Sequence, residues 1–138
     1  SLIKSVTHAD GTVATPQEGS STRVIDESVA DQVKNAMESV AEGYSKVVNV
    51  KGYRIAAKTG TAEVAGSDGR LTSIVADFAG MIPADNPRFA ITVIMKDPQG
   101  TYGGMTAGPV FAKIGEFLMQ KYNVPTSSPR NDAIAVDW

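Results

Sequence analysis

The sequence predicts an α+β fold in which an antiparallel β-sheet is covered by helices. Three apolar runs with β-forming residues are separated by short Gly, Pro, Asp and Asn segments, which is typical of strands joined by turns. Two further segments have apolar residues at helical spacing. Strands and helices do not alternate strictly, which disfavours a parallel doubly wound sheet. The 138 residues suffice for one hydrophobic core.

The N-terminal part predicts a β-hairpin followed by a helix. Residues 2–6 and 12–15 flank Ala9-Asp10-Gly11, and Asp-Gly favours the positive φ of a tight turn. A polar loop is expected over residues 16–22. The helix is predicted over residues 26–43, capped by Asp26 or Ser28 and closed by Gly43. One buried stripe is expected along it, made of Val29, Val33, Ala36, Met37 and Val40. Its acidic residues, including Asp31, Glu38 and Glu42, are expected to form a solvated face.

The central part predicts three strands, over residues 53–61, 71–82 and 88–96. A loop is expected over residues 62–70, and the two prolines and Asp-Asn pair of residues 83–87 predict a turn. The stretch 89–95 is almost wholly apolar, so we expect the third strand to be buried on both faces.

A second helix is predicted near the C-terminus. Pro109 suits the first position of a helix, and Asn123 with Pro125 would end it. A polar tail is expected over residues 126–138, lying over the surface or disordered.

Composition excludes several classes of function. The net charge is −2 and no Lys/Arg cluster occurs, so no nucleic acid partner is expected. Cysteine is absent, which excludes disulfides and thiol chemistry. His8 is the only histidine and lies beside a predicted turn, so we expect no metal site around it.

The segment Lys58-Thr59-Gly60-Thr61 has the chemistry of a carboxylate-binding strand end. Thr59 and Thr61 project on one side because strand side chains alternate. Gly60 has no Cβ, which permits close approach to the backbone. Lys58 supplies a cation whose long stem can curl past the strand edge, and an edge strand can also pair with an extended peptide. The pattern therefore predicts binding of a peptide that ends in a carboxylate.

The same segment resembles the third active-site motif of serine penicillin-recognising enzymes. Residues 52–62, 78–89 and 102–111 together resemble class B penicillin-binding proteins, most of all the septal, cell-division enzymes. The resemblance covers residues 2–125, which would form the C-terminal portion of an incomplete transpeptidase domain, with residues 126–138 as a tail.

The resemblance implies a D,D-transpeptidase that cross-links peptidoglycan stem peptides ending in D-Ala-D-Ala and that is acylated by β-lactams. Lys58 and Thr61 would be the catalytic residues, and Lys58, Thr59, Gly60 and Thr61 would bind the substrate. No metal or cofactor is implied. The implied partners are the rest of the transpeptidase domain and the divisome proteins, at the extracytoplasmic face of the bacterial membrane.

Two further motifs of that family are missing. Ser-x-Asn occurs nowhere in the chain. Ser1-Leu2-Ile3-Lys4 fits the Ser-x-x-Lys pattern, but it lies in a predicted strand, whereas the two residues must share a helix face. We expect both motifs upstream of residue 1, and no activity from this chain alone.

Three other interpretations stay open at this point. The same fold also hosts D,D-carboxypeptidases and β-lactamases, in which water resolves the acyl-enzyme. The chain could instead be a structural or peptide-binding subdomain without chemistry. Lys58 could also be an ordinary edge-strand lysine that discourages aggregation.

Overall fold

A computed structural model describes residues 4–15, 22–99 and 102–134, and it confirms the α+β class. The elements in chain order are β1 (Val6–Thr7), β2 (Val13–Ala14), α1 (Glu27–Gly43), β3 (Ala56–Ala65), β4 (Leu71–Ile82), β5 (Phe89–Lys96) and α2 (Gly103–Lys121). Strands β1 and β2 pair with each other, and β3, β4 and β5 form an antiparallel sheet in that order. Helix α2 packs on this sheet, and α1 contacts β3.

The predicted N-terminal hairpin is confirmed at its turn. Gly11 has φ +84° and donates its N–H to the carbonyl of His8 at 2.9 Å. The hydroxyl and the N–H of Thr12 both donate to Asp10 and lower the pKa of that carboxyl. Residues 1–3, with Ser1 of the Ser-x-x-Lys pattern, and residues 16–21 of the predicted polar loop lie outside the described residues.

The core forms where β4 meets α2. Phe78 and Ile82 of β4 are fully buried against Phe111 and Met119 of α2, and the rings of Phe78 and Phe111 meet edge to face at 5.0 Å between centroids. Complete burial of such a side chain stabilises the fold by about 1.5–3 kcal/mol. Gly108 lets the helix approach closely, because a Cβ there would lie 2.5 Å from Cγ2 of Val48.

Strand β3 begins three residues later than predicted and ends four residues later. The first four residues of the predicted loop belong to the strand, and Ala62 pairs with Val75 of β4. The loop prediction was wrong there because the pairing partner, not local propensity, decides such a segment. The turn lies between Gly66 and Arg70, where Gly66 donates its N–H to the Arg70 carbonyl at 2.7 Å and Gly69 has φ +77°.

Strand β5 has the predicted bounds, give or take one residue, but is not buried on both faces. Its residues alternate between half-buried and exposed, and Ile94 is 68% exposed. Helix α2 covers one face of the sheet, and within the described residues the opposite face of β5 is left open.

Helix α2 starts six residues before Pro109, which lies inside it. The prediction of Pro109 as the first helical residue was wrong because the first turn is fixed by other contacts. The Tyr102 carbonyl accepts bonds from the N–H groups of Met105 and Thr106 and from the Thr106 hydroxyl. The predicted end is confirmed, since the helix ends at Lys121.

Helix α1 matches its predicted range to one residue, but its buried side differs. Asp26 is the N-cap by position, yet its side chain makes no cap bond and its carbonyl accepts the N–H of Ala30 instead. Val29 and Val33 are 45% and 52% exposed, Ala36 is exposed, and Met37 and Val40 are only half-buried, so the predicted buried stripe is wrong. Its buried residues lie near the C-terminal end, and they are Glu38, Ser39 and Ala41.

Glu38 is buried in an ionic cluster rather than solvated. It is 3% exposed, and its two carboxylate oxygens accept bonds from Nε and Nη2 of Arg54 at 2.5 and 2.8 Å. Nε of Arg130 lies 3.7 Å from the same carboxylate, and Nη1 of Arg130 lies 2.8 Å from Glu42. Bonding to Glu38 raises the pKa of Arg54. The expected solvated face was wrong at Glu38 because both of its partners come from distant parts of the chain.

The segment after α2 lies over the surface, as expected, and it is bonded to the domain. Its Ser127 N–H donates to the Gly52 carbonyl at 2.9 Å, and the Ser127 hydroxyl donates to Asp85 at 2.6 Å. The side chain of Arg130 is only 6% exposed. Residues 135–138 of the predicted tail lie outside the described residues.

Asp85 makes this contact dependent on pH. Burial opposes its ionisation, but bonds from the Ser127 hydroxyl and the Ser128 N–H, with the charge of Arg54, lower its pKa below the ordinary 3.8. A pKa that is lowered in the folded state contributes stability that is complete above pH 3.8 and is lost as the pH falls through the folded-state pKa.

In thermal unfolding from pH 7 to pH 2, we therefore expect Asp85→Asn to lose less stability on acidification than the wild type, and Ser127→Ala to lie between them. Equal acid losses for Asp85→Asn and the wild type would contradict this.

Candidate active site

The candidate site lies along the outer edge of β3. Among the described strands β3 pairs only with β4, so its other edge is available to a ligand. The register pairs Lys58 with Ala79, Thr59 with Phe78 and Gly60 with Asp77. Because side chains alternate, Thr59 and Thr61 lie on one face, as predicted, and Lys58 and Gly60 lie on the other. The face of the two threonines is the one that α2 covers, since their partners in β4 include Phe78, which packs on α2.

The Lys58 side chain curls around the strand edge. Its Nζ donates to the Thr59 carbonyl at 3.0 Å and to the Thr59 hydroxyl at 3.4 Å. The ammonium and the hydroxyl therefore meet at one point although their side chains start from opposite faces. Lys58 is exposed, so the site is an open strand edge.

Thr61 joins the site to the start of α2. The N–H of Gly103 donates to the Thr61 hydroxyl at 3.3 Å, which places the positive end of the helix dipole beside this hydroxyl. Residues two apart on a strand direct their peptide groups to the same side, so the Thr61 N–H points to the edge that carries the Thr59 carbonyl. The edge thus offers one cation, two hydroxyls and a peptide N–H.

Gly103 contacts the site through Thr61, although it was predicted to lie before the helix and was not counted among the site residues. A Cβ at Gly103 would collide with the carbonyl oxygens of Asp77 and Gly60 and would lie 3.0 Å from the Asp77 nitrogen. The helix start can therefore touch the β3–β4 backbone only as glycine. The adjacent Gly103-Gly104 pair was the available signal for this contact.

Asp77 was not predicted as a site residue. It is half-buried, and its carboxylate fills the space beside Gly60 on the face opposite α2. No motif marks it in the sequence, because only the register between β3 and β4 brings it to Gly60.

The described part of the chain contains no group of three or more His, Cys, Asp or Glu side chains that could hold a metal ion. None of its helices has the length and apolar character needed to cross a membrane.

Comparison with known proteins gives one consistent result. The family model described as the penicillin binding protein transpeptidase domain matches residues 1–116. FtsI of Escherichia coli, named a peptidoglycan D,D-transpeptidase, is 44% identical over 107 residues, which are 74% of this chain and 18% of that protein. The chain thus spans less than a fifth of this relative.

Two solved structures show the same relationship. A peptidoglycan synthetase from Bifidobacterium adolescentis is 66% identical with a TM-score of 0.79, over 98% of this chain and 25% of that one. Penicillin-binding protein 3 from Mycobacterium tuberculosis, complexed with ampicillin, is 30% identical with a TM-score of 0.72, over 94% of this chain and 32% of that one. The chain therefore belongs to the penicillin-binding protein transpeptidase domain family.

Proposed function

We propose that this chain is part of a peptidoglycan D,D-transpeptidase that cross-links stem peptides during septal wall synthesis and that β-lactams acylate. The observation that carries the proposal is the Lys58 ammonium, held beside the Thr59 hydroxyl at the outer edge of β3. The Escherichia coli relative is named for this activity, and a solved relative is complexed with ampicillin.

The edge of β3 would bind the donor peptide. The C-terminal carboxylate of a D-Ala-D-Ala end would lie against Lys58 and the hydroxyls of Thr59 and Thr61, in charge-assisted hydrogen bonds. The peptide backbone would add to the sheet along the same edge. The Thr61 N–H would supply half of the oxyanion hole, and loss of one such donor typically costs about 10²–10³ in rate.

The nucleophile would come from another part of the protein. A serine would attack the carbonyl of the penultimate D-Ala, expel the terminal D-Ala as the amine, and leave an ester that an amine of a second stem resolves. Lys58 would assist proton transfer near that serine. Because the sequence has no Ser-x-Asn motif, we expect the chain to be inactive alone.

The proposal extends to location and partners. The substrate is outside the cell, so the enzyme would work at the extracytoplasmic face of the bacterial membrane. By its resemblance to septal enzymes, it would act there with divisome proteins and with the rest of its own transpeptidase domain.

Replacing Lys58 by alanine in the intact protein that carries this chain is expected to lower its acylation by a fluorescent penicillin. Loss of a hydrogen bond to a charged group costs about 1.5–3 kcal/mol, which corresponds to about a 10- to 150-fold slower reaction. Stopped labelling reactions separated by gel electrophoresis give the second-order rate constant.

Lys51→Ala is the matched control, because Lys51 is exposed and lies in the turn before β3. Its labelling rate should equal that of the wild type. Equal labelling of Lys58→Ala and Lys51→Ala would contradict the role of Lys58. No labelling of the wild type would contradict the proposed function itself.

A further inference from the structure

A carboxylate lies directly on the proposed substrate strand. Asp77 stands opposite Gly60 in the register of β4 and β3. Its Oδ1 and Cγ lie 2.6 and 2.7 Å from the point where a Cβ of Gly60 would stand, and its Oδ2 lies closer still. The charged end of Asp77 therefore rests over β3 rather than over its own strand, and the absence of a side chain at Gly60 makes this possible.

This carboxylate is not neutralised within the described part of the chain. Asp77 is half-buried and makes no hydrogen bond or ion pair with any other described residue. Partial burial reduces the screening of a charge by water. Its field therefore acts on a ligand that binds along β3.

The cation of the site lies on the other side of Gly60. Lys58 pairs with Ala79, so it is a diagonal neighbour of Asp77 on the same sheet face. Its ammonium is bonded to the Thr59 carbonyl and hydroxyl at the strand edge instead of to Asp77. Two opposite charges thus flank Gly60, and within the described residues neither forms an ion pair.

We propose that Lys58 and Asp77 form a paired-charge site that favours ligands in which a cationic group neighbours the recognised carboxylate, with Asp77 as the specificity-determining residue. The inference rests on the proposed function, because the carboxylate is the one that Lys58 and Thr59 bind. A ligand with both charges is attracted by Lys58 and by Asp77. A ligand with the carboxylate alone is attracted by Lys58 and repelled by Asp77.

Two cephalosporins with the same thienylacetamido side chain test this in the intact protein. Cephaloridine carries a pyridinium at the C3 methylene, near the ring carboxylate, and cephalothin carries an uncharged acetoxy group there. The measured quantity is the ratio of their second-order acylation rate constants. We expect Asp77→Asn to lower the cephaloridine-to-cephalothin ratio about three- to tenfold, the size of effect that one partly screened charge produces. Intrinsic reactivities of the two drugs cancel when the variants are compared.

Two further variants separate charge from structure. Asp77→Glu keeps the charge and should keep the wild-type preference for cephaloridine. Asp68→Asn removes a charge from the exposed turn between β3 and β4 and should leave the ratio unchanged.

The outcomes are distinct. An unchanged ratio in Asp77→Asn, with both drugs still acylating the protein, overturns the inference and leaves the proposed function intact. Failure of both drugs to acylate the wild type overturns the proposed function and the inference with it. If Asp77→Asn does not fold, the test is the cephaloridine-to-cephalothin ratio of the wild type, measured at about 0.05 M and at about 0.5 M NaCl, because salt screens the charge of Asp77. A fall of about threefold supports the inference, and an unchanged ratio overturns it.

Discussion

Gly103→Ala is expected to slow acylation of the intact protein by benzylpenicillin by about 100-fold or more. The added Cβ would collide with the carbonyl oxygens of Gly60 and Asp77, which are backbone atoms and cannot turn away. The start of α2 must then move off the sheet, which breaks the bond from the Gly103 N–H to the Thr61 hydroxyl. Displacing the Thr61 peptide should cost what loss of an oxyanion donor costs, about 10²–10³ in rate.

Gly115→Ala is the matched control on the same helix. A Cβ there would lie 3.3 Å from Cδ1 of Ile82 and 3.4 Å from Cγ2 of Val50, which are side-chain tips that can shift. We expect its acylation rate to stay within about twofold of the wild type, since it touches no site residue. A Gly103→Ala protein that is acylated as fast as Gly115→Ala would show that the helix start does not set the geometry of β3.

Glu38→Ala is expected to destabilise the domain by about 1.5–3 kcal/mol, because it removes the carboxylate that bonds Arg54 and faces Arg130, while Glu42 and Asp132 remain as partial counter-charges. Arg130 has almost no exposed surface, and Arg54 is bonded through two nitrogens to the carboxylate that would be lost. In a thermal melt of the intact protein the transition temperature of this domain should fall by on the order of 3–12 °C.

The control for this change is Asp31→Ala on the same helix. Asp31 is exposed, and among the described residues its one ion pair is with Lys34, three residues later at 2.9 Å. Pairs of this kind contribute about 0.3–0.5 kcal/mol, so the transition temperature should stay almost unchanged. If Glu38→Ala and Asp31→Ala have the same transition temperature, the buried cluster does not stabilise the domain.

The local sequence pattern predicted an element correctly where the segments on either side also mark its ends. Strand β4 was predicted with the bounds that the structure has, because its apolar run ends at proline on one side and begins after a glycine turn on the other. The curl of Lys58 around the edge was predicted from the length of its stem and its place in the strand, and the bond to Thr59 confirms it. Its role in catalysis remains a prediction.

The errors share a cause, which is that the deciding contact comes from elsewhere in the chain. The sequence predicts Glu38 as a helix-surface residue, whereas the fold brings Arg54 and Arg130 to it. The early start of α2 depends on the fit of Gly103 against β3 and β4, whereas the proline signal at Pro109 is local. Asp77 carries no sequence signal at all, since only its register partner Gly60 gives it a place in the site.

The buried cluster also has a consequence for how such proteins can diverge. The cluster joins three separate parts of the chain: Glu38 lies in α1, Arg54 lies just before β3, and Arg130 lies after α2. A substitution at one of these positions changes which residues the other two can accept without loss of stability. Loss of the acid should cost less stability in a background where the arginines have already become uncharged. We therefore expect homologues to inherit these three positions as a set, and recombinants between distant relatives to be less stable when the crossover separates them.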